Sequence, residues 1–198
     1  MAYTTTALVK TYLGISSSND DTLIGALVVR GQAFIDKYVH RTFEVASATA
    51  KVFDAVRDVT GACLYFNEGL ELAETPTSVV NGDLVTLVLN TDYVTLPANS
   101  GPFYALELLD STSTVWTYAV NGNSQRALSV TGKWGYSVTA PDDIVQAATR
   151  LAGFLYRQRE GNGELDRPIS VADGMVLLPA RLPADIAAIL EPYRRNSR

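Results

Sequence analysis

The stretch that decides the fold is residues 130–160, VTGKWGYSVTAPDDIVQAATRLAGFLYRQRE. It begins like a strand, rich in β-branched and aromatic residues, with two glycines that let the strand bend and end. It continues as a helix, because the proline at 141 fixes φ and the two following acids meet the positive end of the helix dipole. We therefore predict a strand-to-helix seam at Lys133–Ile144, with its two aromatic rings sealing a sheet against helices. The residues that shape the seam are Gly132, Trp134, Gly135, Tyr136 and Pro141.

The helix that follows the seam carries apolar and small side chains at helical spacing. This pattern predicts one buried face, and the small residues allow a second helix to approach closely. The members of the apolar stripe are Ile144, Ala147, Ala148, Leu151 and Leu155.

Helical patterns also occupy the two ends of the chain. Residues 4–13 have apolar pairs at i,i+4 and are followed by Gly14, which accepts the left-handed conformation that ends a helix. Residues 22–39 are amphipathic over about five turns. A short final helix is predicted from Leu182 onward, and Pro192 prevents its regular continuation. Residues 161–175 are predicted as a mobile loop with one more strand pairing.

The middle of the chain has a different character. From Phe43 to about Tyr136 it is rich in valine, threonine and aromatic residues, with no helical period. Six or seven short strands are expected here, including VWTYAVNGN at 115–123. The pairs Asn81-Gly82 and Asn121-Gly122 predict tight turns, because both residue types accept positive φ. Strands at such close spacing predict an antiparallel sheet, sandwich or small barrel.

The predicted fold class is therefore α+β. A small helical body is built from both chain ends, with an inserted antiparallel β-sheet or sandwich between them. The predicted divisions are residues 1–42 for the N-terminal helix pair and 43–137 for the β insertion. Residues 138–198 supply the long helix, the loop and the C-terminal helix that complete the helical body.

The net charge of −5 argues against a protein that holds nucleic acid through its phosphates. Between Phe43 and Pro141 there are 10 acids and 4 bases, whereas the terminal YRRNSR has three arginines and no acid. An acidic middle repels DNA that slides past it, and a basic tail suits an acidic partner. A solvated surface without a partner is the alternative interpretation. No apolar run approaches the roughly 18 residues of a membrane span, so no membrane partner is expected.

The sequence offers no credible active site, so neither catalysis nor a cofactor is predicted. His40 is the only histidine and Cys63 the only cysteine, which leaves no multi-histidine metal site and no internal disulfide. Cys63 is expected to be a small buried apolar side chain in a reducing compartment. Paired carboxylates of a glycosidase are a lesser alternative. The candidates are Asp20, Asp21, Glu68, Glu71, Glu74, Asp142 and Asp143.

Three local patterns, in order, resemble the head–tail connector family of tailed bacteriophages, the adaptor or head-completion proteins. LVKTYLGI, followed by an acid-led helix ending in AFIDKYVHRTFE, is similar to that family's opening helix pair with its Arg-x-Phe exit. VTGKWGYSVTAPDDIVQAATRLAGFLY is similar to its aromatic–glycine strand end, Pro-Asp helix start and alanine-rich helix. LPADIAAILEPYRR is similar to its closing helix. The resemblance covers both helical portions, about half of the chain, and the β segment is longer than the family's minimal form needs.

The resemblance implies a non-enzymatic adaptor of the virion neck, assembled in the host cytoplasm. Such a protein binds the portal as an oligomeric ring, commonly a dodecamer, and extends the DNA channel toward the tail or stopper. The implied partners are the portal protein, the next neck, stopper or tail component, and other copies of the chain. Passing DNA would be contacted without sequence specificity.

In some relatives the closing helix contacts the portal. A short apolar face with a basic end suits such a dock, and many copies multiply a weak contact through avidity. Carried over to this chain, the contact residues would be Ile186, Ile189, Leu190, Tyr193, Arg194 and Arg195.

Three other functions are open at this point. The first is a different neck or tail-completion factor that binds the tail side. The second is a glycan-binding β domain on a helical base, which would use Trp116 and Tyr118 as exposed stacking platforms. The third is a hydrolase, which would need a pair of carboxyl groups with perturbed pKa values.

Overall fold

The computed structural model describes residues 3–67, 69–111, 113–160, 169–170, 176–177 and 182–195. These residues fall into two compact units, one built from both ends of the chain (3–41 and 140–195) and one from its middle (42–139). We call them the helical unit and the β unit. The α+β class predicted from the sequence is confirmed.

The described residues of the helical unit form four α-helices. They are α1 (Thr6–Leu13), α2 (Asp21–Val39), α3 (Asp142–Glu160) and α4 (Ala184–Leu190), and one 3-10 turn at Glu191–Tyr193 follows α4. Thr5 caps α1 by accepting a hydrogen bond from the Leu8 amide, and Gly14 ends it in the left-handed conformation. The last turn is 3-10 rather than α because Pro192 has no amide hydrogen for a regular helix.

The core of the helical unit lies where α1, α2 and α3 meet. Its buried residues come from all three helices: Val9, Ile24, Leu27, Val28, Ala152 and Tyr156. Small residues allow the close packing, as predicted. A Cβ added at Gly153 would lie 2.9 Å from the Tyr12 ring, so α1 approaches α3 more closely there than any larger residue permits. None of the described helices is long and apolar enough to cross a membrane.

In the β unit, described except for residues 68 and 112, eight short strands form two antiparallel four-stranded sheets. The strands are β1 (Thr49–Phe53), β2 (Val59–Thr60), β3 (Cys63–Tyr65), β4 (Ser78–Val80), β5 (Thr86–Leu87), β6 (Tyr93–Leu96), β7 (Ala105–Leu108) and β8 (Leu128–Gly132). One sheet has the order β1-β8-β4-β5 and the other β2-β3-β7-β6. Two further strands in the 140–195 part, β9 (Ile169–Ser170) and β10 (Val176–Leu177), pair antiparallel with each other. They supply the extra pairing predicted for this region, most of which lies outside the described residues.

Both sheets of the β unit contribute to one hydrophobic core. Buried side chains from one sheet include Phe53, Val79 and Leu128, and those from the other include Leu64 and Leu106. Trp134 packs on this core, with its ring centroid 5.0 Å from that of Phe66 and 5.7 Å from that of Phe53. Its indole N–H donates to the Thr49 carbonyl at 2.8 Å.

The chain enters and leaves the β unit along adjacent paths. β1 and β8 pair from Thr49↔Gly132 to Phe53↔Leu128. Further out, the Tyr136 amide donates to the Thr42 carbonyl at 2.8 Å, and the Tyr136 ring meets Phe43 edge-on at 5.2 Å. The two aromatic rings of the seam therefore pack within the β unit. In the first turn of α3, the Pro141 carbonyl accepts a hydrogen bond from the Val145 amide.

The strand predicted at 115–123 is wrong. Residues 113–119 form no ladder. Its backbone is bonded instead to a side chain, because the Thr117 amide donates to Asn81 Oδ1 and the Val115 carbonyl accepts from Asn81 Nδ2. Both predicted tight turns are present, and the second closes at Gly122 with φ of 82°.

Asp58 is a buried carboxylate that organises the loop between β1 and β2. Burial raises its pKa, but hydrogen bonds from the Asp54 amide, Asn67 and Arg57, together with the Arg57 charge, lower it by more. The net pKa lies below the usual aspartate value of about 3.9. A depressed pKa stabilises the fold above the unfolded-state pKa, and this stability is lost as the pH falls through the folded-state pKa.

We expect Asp58→Asn to lower the urea midpoint of the β unit at neutral pH and to flatten its decline in acid, because the variant has no carboxylate to protonate. The measurement is urea unfolding at neutral pH and near about pH 3, followed by tryptophan fluorescence. Asp92→Asn is not a neutral control, since the Asp92 carboxylate accepts a hydrogen bond from the Val88 amide. Asp110→Asn is the better control, because the Asp110 side chain is exposed. If the urea midpoint of Asp58→Asn falls in acid as steeply as that of the unmodified protein, the depressed pKa assigned to Asp58 is contradicted.

Candidate docking surfaces

The closing helix uses its apolar face within its own unit. Ile186 and Leu190 are 1% and 0% exposed, and α4 packs on α3. An ion pair between Arg150 and Asp185 ties the two helices at the surface. A short amphipathic helix has one apolar stripe, and here α3 covers it. The Ile186 and Leu190 side chains therefore form part of the core of the helical unit.

The end of the described chain lies against the helical unit. The Arg195 amide donates to the Val39 carbonyl at 2.9 Å, and the Tyr193 hydroxyl lies 3.3 Å from Asp143 Oδ2. The Arg194 guanidinium lies 5.6 Å from the centre of the Tyr38 ring. Four of the six predicted contact residues stay at least partly accessible, namely Ile189, Tyr193, Arg194 and Arg195. A portal contact by this segment stays a prediction.

A second accessible feature of the helical unit is an apolar groove of about 300 Å³. It lies between α2, α3 and the residues just before α4. Phe34 is 44% exposed there, although it stacks on Tyr38 one turn later in α2. We call it the α2–α3 groove. Its lining includes Arg30, Phe34, Leu151, Phe154, Leu155 and Leu182.

The β unit exposes an apolar surface around the hairpin between β4 and β5. Leu84 is 73% exposed, Val85 53% and Val115 64%. The 113–117 segment lies beside this hairpin, because Asn81 bonds its backbone. Exposed aliphatic side chains gathered in this way are typical of an interaction surface. This surface is not predicted from the sequence.

The platform needed for a glycan site does not form as predicted. Tyr118 is 55% exposed, but Trp116 packs against the core of the β unit. Its indole N–H donates to the Ala62 carbonyl at 2.8 Å. A stacking ring must present a free face to a sugar, and the packing of Trp116 opposes that use.

Most of the described candidate carboxylates have structural partners of their own. Asp21 pairs with Lys10 at 2.7 Å, and Glu74 pairs with Lys133 at 2.9 Å. Asp20 accepts the Tyr156 hydroxyl at 2.7 Å. Glu71 is buried, and Glu68 lies outside the described residues. Within the described ranges no three potential ligands gather around a metal-sized space.

Shifted pKa values do not mark an acid–base pair in the described part of the chain. The carboxyl groups concerned are Asp58, treated above, and Asp36 in α2, whose pKa is raised by burial and partly lowered again by the Tyr3 hydroxyl. They belong to different units. Burial and the charge of Glu107 raise the pKa of the half-buried Cys63 thiol, which opposes formation of the reactive thiolate.

Neither a protein-family model nor a curated protein matches the sequence. Solved structures do match the fold. A chain from the neck of an empty gene transfer agent (GTA) particle, computed with C6 symmetry, has a TM-score of 0.59 at 13% identity, covering 98% of this chain and 90% of that one. A chain from the neck of a native GTA particle, computed with C12 symmetry, has a TM-score of 0.56 at 14% identity, covering 98% and 91%. A third, from the virion of the native GTA particle, has a TM-score of 0.55 at 17% identity, covering 98% and 90%.

These likenesses run over nearly the whole chain, so they include the β unit as well as the helical unit. At such identities they show a shared fold. The chain therefore shares its fold with chains from the neck and the virion of GTA particles.

Proposed function

We propose that this protein is a non-enzymatic structural component of a phage-like virion neck, and specifically an adaptor that binds the portal as a ring. The observation that carries the proposal is the fold match to chains of particle necks over 98% of the sequence. Those necks were computed with sixfold and twelvefold symmetry, which supports a ring of copies here.

The charge distribution also supports a place beside passing DNA. The β unit has 10 acids and 4 bases, and the rest of the chain has 11 acids and 12 bases. An acidic surface repels the phosphate backbone, so DNA in a channel would slide past it without sequence-specific contacts. The ring would extend the channel from the portal toward the stopper or tail.

The portal contact is proposed at the accessible end of the helical unit, on Ile189, Tyr193, Arg194 and Arg195. Deleting the closing helix is a poor test, because removal of Ile186 and Leu190 would uncover an apolar face of α3. Charge reversal at Arg194 and Arg195 keeps Ile186 and Leu190 in place, but it also removes the Arg194 contacts with Glu191 and Tyr38.

We expect the protein, mixed with the portal ring of the same genome, to shift the ring's native mass by about one copy per portal subunit. Arg194→Glu combined with Arg195→Glu should weaken this binding by about tenfold or more, because each copy loses its attraction and gains repulsion. Lys37→Glu in α2, also on the helical unit, is the matched charge-reversal control and should bind normally. Native mass spectrometry and sedimentation measure both.

The outcomes separate the candidate functions. A mass shift that the double variant retains would leave the adaptor role standing and move the contact elsewhere. Binding to tail components but not to the portal would favour the alternative tail-completion factor. Binding to neither would contradict a neck role.

A further inference from the structure

The hairpin tip at 81–85 has a leucine in the left-handed conformation, where the comparable turn at 119–123 has a glycine. The Asn81 amide donates to the Val85 carbonyl and the Leu84 amide to the Asn81 carbonyl, which is a three-residue turn closed by a left-handed residue. The turn at 119–123 has the same pattern, because the Ala119 amide donates to the Asn123 carbonyl and the Gly122 amide donates to the Ala119 carbonyl. The left-handed position is Gly122, with φ of 82°, in one turn and Leu84, with φ of 68°, in the other.

A leucine at this position is unfavourable for the isolated chain. An L side chain in the left-handed region crowds its own backbone, and glycine or asparagine normally occupies it. The other described non-glycine residues with positive φ are polar: His40, Glu44, Asn90 and Arg126. Leu84 gains no compensating burial, since it is 73% exposed. Strained residues of this kind persist where the surrounding structure fixes them, and they cluster at active sites, ligand clamps and switch regions.

The tip is also held rigidly. Asn81 is 1% exposed, and its Oδ1 accepts from both the Gly82 and the Thr117 amides at 3.0 Å. The Asp83 amide donates to Thr117 Oγ1 at 3.0 Å. Preorganisation of this sort lowers the entropic cost of binding. We call residues 81–85 the Leu84 tip.

We propose that the Leu84 tip docks into the α2–α3 groove of a second copy of this chain. The proposal rests on the ring inferred above and names the contact that builds it. The groove offers apolar walls from Phe34, Leu151 and Phe154, and its volume of about 300 Å³ accepts an aliphatic knob. Because tip and groove are different surfaces, the contact is head-to-tail, and such a contact builds a ring when the rotation between successive copies closes.

Charge supports a second copy as the occupant. Asp83 stands next to Leu84 on the tip, and Arg30 is exposed at the groove. More broadly, the tip belongs to the unit with 10 acids and 4 bases, whereas the groove belongs to the part with 11 acids and 12 bases. Like surfaces of two β units would repel each other, so the β unit of one copy and the helical unit of the next are the complementary pair.

The decisive variant is Leu84→Gly in the full chain, assayed with and without the portal ring. It should raise the urea midpoint of the β unit, because it relieves the left-handed leucine, and yet weaken self-association about tenfold or more. Val120→Gly is the matched control: Val120 is 75% exposed at the other turn, and its loss should leave association unchanged. Greater stability with weaker assembly is a combination that misfolding cannot produce.

Cross-linking tests the geometry between copies. One protein carries Val85→Cys and another, bearing an affinity tag, carries Arg30→Cys; neither residue lends a side chain to the hydrogen bonds of the tip. On the portal ring, oxidation of the mixture should give a tagged heterodimer above the level of either protein alone. Leu84→Gly in the Val85→Cys protein should reduce its yield.

Several results would overturn the inference. One is that Leu84→Gly self-associates as strongly as the unmodified protein. Another is that no heterodimer forms on a fully occupied portal ring. In both cases portal binding would still support the proposed function. Loss of portal binding by Leu84→Gly without any cross-link between copies would assign the tip to the portal instead. If the unmodified protein binds no portal but cross-links in solution, the inference stands and the adaptor role fails.

Discussion

Replacing Gly82 with alanine is expected to destabilise the β unit by about 3 kcal/mol. A Cβ at this position would lie 2.2 Å from the Thr117 carbonyl oxygen and 2.4 Å from that of Tyr118. Both are backbone atoms, so no side-chain rotation relieves the clash. The hairpin and the 113–117 segment must separate, which also disrupts the hydrogen bonds of Asn81.

The measurement is urea unfolding followed by tryptophan fluorescence. Both tryptophans of the chain, Trp116 and Trp134, lie in the β unit, so the signal reports on that unit alone. Gly122→Ala is the matched control. It places alanine at a positive φ with open space around the Cβ, and should cost only about 1 kcal/mol. Equal losses in the two variants would contradict the steric explanation.

Leu190→Asp is expected to release α4 from α3 and to destabilise the helical unit by more than about 3 kcal/mol. Leu190 is fully buried, and an unpaired carboxylate in its place would have to leave the apolar interior. Release of the helix also removes the ties that the following residues make to α2 and α3. Thermal unfolding followed by far-ultraviolet circular dichroism measures the loss, and limited proteolysis detects the freed end.

Ala188→Asp, at an exposed position on the same helix, introduces the same charge and loses slightly more helix propensity, because alanine is the better helix former. It should lower the thermal midpoint far less than Leu190→Asp does, because no buried side chain is lost. If the two variants behave alike, α4 is not held by its buried face, and Ile186 and Leu190 are again available for a partner.

The sequence predicted the helices well because their signals are local. The spacing of apolar residues, the capping threonine before α1 and the proline before α3 all act within a few residues of the element they define. The predicted bounds of the second helix differ from Asp21–Val39 by one residue at its start. The two turns at Asn-Gly pairs were found for the same reason.

Strands were harder to predict because their stability depends on distant partners. Residues 115–123 have the composition of a strand, yet residues 79–81 and 128–132 pair with other neighbours and leave them no ladder. The Asn81 side chain makes the hydrogen bonds that a neighbouring strand would otherwise make. The local sequence NGDLV does not predict this role. Likewise, Asn81-Gly82 indicates a turn, but only its hydrogen-bond pattern places Leu84 in the left-handed position.

By itself, then, the sequence determined the α+β class, the helices and the acidic middle of the chain, because local periodicity, capping and charge are properties of neighbouring residues. Only the tertiary structure decided which apolar residues remain for partners. It covered Ile186 and Leu190 with α3, placed Trp116 and Trp134 on the core of the β unit, and left Leu84 and Phe34 exposed. The physical reason is that burial depends on which surfaces meet, and those contacts join residues far apart in the chain.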